Sequence, residues 1–92
     1  MRVVISYDIS DDKCRRTIAK KLEGYGYRVQ YSVFECDVTA KQLKKLKREL
    51  NPSVQTKRGD SIRFYPLSAD AVEKILILGN DYARTLGLLA VI

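Results

Sequence analysis

Three features of the sequence predict an α+β domain, a ferredoxin-like βαββαβ sandwich with an added fifth strand, assembled as a homodimer. Short β-branched runs and helical periods follow one another as strand, helix, strand(s), helix, strand, the split βαβ order. A chain of 92 residues holds one such domain and no second. Two helices cover one face of the antiparallel sheet, and nothing remains to cover the other, for which a two-fold homodimer is the commonest remedy.

In Arg2 to Asp8, Val3, Ile5 and Tyr7 alternate with Val4, Ser6 and Asp8, the period of a strand. Ser10 is a good N-cap, and Asp11 and Asp12 suit the positive end of a helix dipole. Cys14, Ile18, Leu22 and Tyr25 then recur at helical spacing until Gly24 and Gly26 stop the helix. Tyr27 to Val38 is rich in Val, Tyr and Phe and is too long for one straight strand. It is either bent or two strands broken near Gln30 to Ser32.

Thr39 and Gln42 form a capping-box pattern, Leu43, Leu46 and Leu50 a buried stripe, and Asn51-Pro52 a stop. A polar, basic loop over Ser53 to Gly59 leads to a strand over Asp60 to Leu67, closed by Pro66. Ala69 to Glu73 reads as a turn or a single helical turn, and Lys74 to Leu78 as the fifth strand, stopped by Gly79-Asn80-Asp81. The expected domain therefore covers residues 1–80. Residues 81–92 form an apolar tail expected to dock on a partner subunit.

Composition narrows the function. Seventeen Lys and Arg against eleven Asp and Glu leave a net charge of +6, which favours a polyanionic partner, most simply nucleic acid. The chain has no histidine, which excludes Ser-His-Asp and Cys-His catalysis and His-built zinc sites. Cys14 and Cys36 lack CxxC spacing and read as reduced, buried thiols. The N-terminal strand turns polar too soon for a signal peptide, and no apolar run reaches the ~20 residues of a membrane span, so a soluble cytoplasmic protein is expected.

With histidine absent, a hard divalent cation held by carboxylates is the catalytic device left, and Asp8 is its candidate ligand and catalytic residue. Asp8 ends the first strand beside Tyr7. One aspartate is thin for one metal, whereas two copies across a dimer axis would supply a better site. A plainer reading stands beside it: Asp8, Asp11 and Asp12 merely cap and polarise the first helix, which the spacing alone favours. The Asp8-x-Ser10-x-Asp12 spacing fails as a calcium loop, because Lys13 replaces the glycine and Ala19 the glutamate.

Arg15, Arg16 and Arg28 are candidate nucleic-acid contacts, since guanidinium groups grip phosphates bidentately. Lys41, Lys44, Lys45, Lys47 and Arg48 crowd the second helix and read as a solvated face. Tyr7, Tyr31, Phe34, Phe64 and Tyr65 alternate within strands and read as core or interface more than as stacking platforms.

Taken in order, Tyr7-Asp8-Ile9-Ser10-Asp11-Asp12-Lys13, Arg15, Gly26 to Gln30, Ser32-Val33-Phe34-Glu35, Asp60 to Leu67 and Ile77-Leu78-Gly79-Asn80 resemble the CRISPR-associated endoribonuclease family, the smaller of the two core spacer-acquisition proteins. The resemblance runs from residue 2 to about residue 80. It implies a homodimer whose fifth strands cross to the partner's sheet, with Asp8 and its symmetry mate around Mg²⁺ or Mn²⁺. By the same resemblance Arg15 and Arg28 lie near the inter-subunit cleft, and Tyr7, Ser32 and Phe34 line it. A second basic residue present in some members is Thr17 here, beside Arg16.

Two functions follow from the resemblance: a metal-dependent endonuclease acting on single-stranded RNA or duplex DNA, and an adaptor that holds DNA for the CRISPR integrase. A toxin-like metal-dependent endoribonuclease of related fold is the alternative.

Overall fold

Alternation along the first strand sorts the whole sheet into two faces. The computed structural model describes residues 1–81, and in it Val3, Ile5 and Tyr7 of β1 (Arg2–Asp8) are buried while Val4, Ser6 and Asp8 point to the opposite side. The chain continues through α1 (Asp12–Glu23), β2 (Gly26–Gln30), β3 (Val33–Asp37), α2 (Ala40–Leu50), two 3₁₀ turns (Asn51–Ser53 and Thr56–Arg58), β4 (Ser61–Leu67) and α3 (Ala69–Glu73). The four strands lie in the order β2-β3-β1-β4 and every pairing is antiparallel, so the predicted ferredoxin-like arrangement is present.

Register carries the two-face pattern across the strands. Ile5 stands opposite Phe34 on one side and Phe64 on the other, and Val3 opposite Cys36. Ile18, Ala19 and Leu22 from α1 and Leu43, Leu46 and Leu50 from α2 close over this face to form the core. Each fully buried Ile, Leu or Phe among them contributes roughly 1.5–3 kcal/mol. The other face carries Val4, Ser6, Asp8, Glu35, Arg63 and Tyr65, and no element among the described residues covers it.

Local signals explain most boundaries. Thr39 Oγ1 accepts from the Gln42 amide at 3.1 Å while Gln42 Oε1 accepts from the Thr39 amide at 2.9 Å, the reciprocal capping box. Tyr31 and Ser32 form the turn that divides the long Tyr/Val/Phe run into β2 and β3, and a bulge between Arg28 and Gln30 twists β2 just before it. Pro66 lies inside β4 opposite Val3, tolerated because β4 is an edge strand.

One local expectation changes. The N-cap of α1 is Asp11, whose Oδ2 accepts from the Cys14 amide at 2.9 Å, not Ser10. Ser10 is taken instead by Asp60, which accepts from both its amide and its hydroxyl at 2.9 Å. Lys74 to Leu78, the expected fifth strand, pairs with no strand among the described residues, and Leu76 and Leu78 stand fully exposed. A strand exists only with a neighbour to take its backbone hydrogen bonds, and the resemblance places that neighbour in the partner subunit. The apolar tail expected at residues 81–92 falls, from Tyr82 onward, outside the described residues. Among the described residues no helix is long and apolar enough to cross a membrane.

Candidate nucleic-acid interface

The β2–β3 end of the sheet and the first turns of α1 converge on one cleft. Tyr7 reaches it from β1, Arg15, Arg16 and Ala19 from α1, Arg28 from β2, and Tyr31 from the turn. Strand, helix and hairpin positions far apart in sequence are thus brought together by the antiparallel pairing of β2 on β3. All three arginines singled out in the sequence line this one feature.

Each arginine is held differently. Arg28 lies over the Phe34 ring, 5.3 Å from its centroid, and its Nη1 donates to the Tyr31 carbonyl at 2.8 Å. Arg15 donates from Nη1 to the Ile9 carbonyl at 2.9 Å and pairs through Nη2 with Asp12, which is the main reason its charge is held more firmly than usual. Arg16 is exposed and has no ion pair among the described residues. Asp12 is therefore the one carboxylate salt-bridged to any of the three within the described residues.

Beneath the arginines lies an aromatic floor. Tyr7 and Phe34 pack with ring centroids 6.3 Å apart, tilted by 32°. Burial pushes the Tyr7 phenol above its ordinary pKa, outweighing the opposite pull of Arg28, so it remains a hydrogen-bond donor at neutral pH. Phe34 is wholly buried and supports the cleft from below without lining it. Ser32 is half-buried in the turn, and its carbonyl accepts from the Tyr7 amide at 3.0 Å.

Asp8 stands apart from this cleft. It ends β1 opposite Ser61, on the open face, one residue out of phase with buried Tyr7. Its carboxylate is exposed and has no hydrogen-bond or ion-pair partner among the described residues. The neighbouring acids are committed: Asp11 caps α1, Asp12 pairs with Arg15, and Asp60 takes Ser10 and Gln55. No cluster of three or more metal-ligating side chains occurs among the described residues, so one chain offers a cation a single free carboxylate here.

The remaining polar chemistry is quiet. Burial pushes the Cys36 thiol up to about 11 and raises that of Cys14 as well, which makes both poor nucleophiles. Of the basic residues on α2, Lys47 lies 5.5 Å over the Phe64 ring and Lys45 reaches Glu49 at 3.9 Å. Sequence reasoning reads Tyr31 as core or interface and Asp60 as the start of a strand, and gives neither a role at the site. Alternation puts Tyr31 on a strand face, and only its place at the tip of the hairpin gives it 75% exposure.

Residues 1–75 match the family described as CRISPR associated protein Cas2. This chain belongs to the Cas2 family. It is similar to CRISPR-associated endoribonuclease Cas2 3 of Synechocystis sp., with 47% identity over 77 residues covering 84% of this chain and 83% of that protein. Similarity to CRISPR-associated endoribonuclease Cas2 1 of Chloroflexus aurantiacus is 48% over 80 residues, covering 87% and 86%.

Among solved structures, Streptococcus pyogenes Cas2 superposes with a TM-score of 0.75 at 37% identity, covering 86% of this chain and all of that one. A chain of a partial Cas6-RT-Cas1–Cas2 complex superposes with a TM-score of 0.72 at 31% identity, covering 89% and 96%. The predicted family and the ferredoxin-like α+β fold are both met.

Proposed function

We propose that this Cas2-family chain works in CRISPR spacer acquisition as a homodimer that grips nucleic acid and presents it to the integrase. The observation that carries the reading is the gathering of Arg15, Arg16 and Arg28 in one cleft with a single carboxylate salt-bridged among them. Arginine forks suit phosphate oxygens, and contacts of this kind position a backbone without reading its sequence. Similarity to a chain of a Cas1–Cas2 complex supports the integrase as partner.

A second activity is favoured by the unpartnered Asp8. In a dimer joined through the open sheet faces, two Asp8 carboxylates would face one another across the axis and could hold Mg²⁺ or Mn²⁺ with water and substrate oxygens filling the remaining positions. When bound, such a cation supplies water activation and charge stabilisation at phosphorus. Asp8 then orients the site, and the arginines hold the backbone so that a phosphodiester of single-stranded RNA or duplex DNA is positioned for hydrolysis.

The test measures cleavage and binding on the same preparations of wild type, Asp8→Ala and Arg28→Ala, in Mg²⁺, Mn²⁺ and chelator. Asp8→Ala is expected to lose metal-dependent cleavage and keep affinity within about twofold. Arg28→Ala is expected to weaken binding and to reduce the salt slope by about one. Equal cleavage by wild type and Asp8→Ala would remove the hydrolytic role. Failure of wild type to bind either nucleic acid at low salt would overturn the proposal.

A further inference from the structure

Tyr31 is the one aromatic side chain of the cleft that solvent reaches freely. Its exposure is 75%, against 5% for Tyr7 and none for Phe34. An exposed tyrosine between arginines gains little from packing, yet the surrounding geometry fixes where it stands. Tyr31 and Ser32 form a tight turn between paired Gln30 and Val33, the Ser32 carbonyl is tied to the Tyr7 amide at 3.0 Å, and the Tyr31 carbonyl is held by Arg28 at 2.8 Å. Tyr31, Arg15, Arg16 and Arg28 all line the same cleft. A flat ring is thereby mounted on a pinned turn, with guanidinium groups from both α1 and β2 beside it.

That combination is what an unpaired nucleotide requires. A base has an aromatic face whatever its identity, and its flanking phosphates sit one sugar away on either side. We infer that Tyr31 with Arg15, Arg16 and Arg28 forms a subsite for one unpaired nucleotide of a single strand, the base stacking on the Tyr31 ring and the arginines holding its phosphates. The inference rests on the nucleic-acid reading above and deepens it, because it assigns the cleft to single-stranded substrate. Bases inside a blunt duplex are stacked on one another and present no free face to the ring. The ring meets the base and not the sugar, so RNA and DNA strands are treated alike.

The experiment uses full-length protein and a short thymidine oligonucleotide carrying one central 2-aminopurine, its ribonucleotide counterpart, and a blunt duplex of the same length. Anisotropy reports affinity, and quenching of the 2-aminopurine reports stacking. Tyr31→Ala is expected to weaken binding of both single strands about tenfold and to lose the quenching, while duplex affinity changes by less than about twofold. Tyr31→Phe keeps the ring and is expected to keep both readouts. The inference is overturned if Tyr31→Ala binds and quenches like wild type, if it weakens strand and duplex equally, or if Tyr31→Phe fails as Tyr31→Ala does. Wild type that binds none of the three probes at low salt defeats the broader nucleic-acid reading instead.

Discussion

Asp60 accepts three hydrogen bonds, from the Ser10 amide, the Ser10 hydroxyl and the Gln55 amide, each at 2.9 Å. It joins the approach to α1 to the loop before β4. These donors, the Ser10 amide foremost, hold its carboxyl below the usual carboxylate range. A depressed native value means that the stabilisation is fully present above the unfolded value of about 3.9 and is lost as pH falls through the native one. Asp60→Asn should therefore unfold at lower temperature at neutral pH, by roughly 5–15 °C, and should flatten the fall in stability on acidification. Thermal unfolding followed by circular dichroism between neutral pH and pH 3 checks both; an unchanged acid limb would show that Asp37 and Asp11, also depressed, account for it. None of this was legible in the sequence. Ser10 reads locally as a helix cap, and the carboxylate that claims it lies fifty residues away. Asp8 was legible, because a strand end needs no tertiary information to be seen as exposed.

Gly24 and Gly26 look alike in the sequence, as paired helix stops, yet the elements use them differently. Gly24 is the C-cap of α1 with φ −74°, and a Cβ there would sit 3.4 Å from the Lys21 carbonyl, an ordinary contact. Gly26 opens β2 opposite Cys36, and a Cβ there would stand 2.1 Å from the Glu35 carbonyl oxygen and 2.7 Å from Cys36 Cα. Those are backbone atoms of β3, an inner strand of the sheet, and cannot step aside as a side-chain tip can. Gly26→Ala is expected to cost at least about 2 kcal/mol and lower the melting temperature by roughly 10 °C, while Gly24→Ala leaves it within a few degrees. Paired thermal melts decide the point, and equal behaviour of the two variants would contradict it. Helices and strands with a strong period, such as the Leu43, Leu46 and Leu50 stripe, were readable because burial follows local spacing. The fifth strand depends on something local spacing does not carry. Lys74 to Leu78 has the composition of a strand, but strand formation needs a neighbour, which the resemblance assigns to the partner subunit and which the described residues of one chain do not supply.

For the whole molecule, the open sheet face decides how two copies would meet. Each chain carries a net charge of +6, so association must overcome repulsion between copies. The open face does not add to that repulsion at one end, where Arg2 pairs with Glu35 at 3.0 Å and with Asp37 at 2.7 Å. Val4 lies between Glu35 and Tyr65 in the ladder, near the middle of the face, with Asp8 at its far end. Val4→Lys places an unpaired ammonium group there, leaves the helix-side core untouched, and is expected to convert the proposed dimer to monomer. Analytical ultracentrifugation with circular dichroism separates loss of association from loss of fold. A dimer that survives the substitution would move the interface elsewhere, to the exposed Leu76 and Leu78. The two sites then part company in one experiment. The arginine cleft is built within a single chain, so the folded monomer should still bind a single strand within about threefold of wild type. The proposed hydrolysis at Asp8 would draw a carboxylate from each copy, and in the monomer it should disappear.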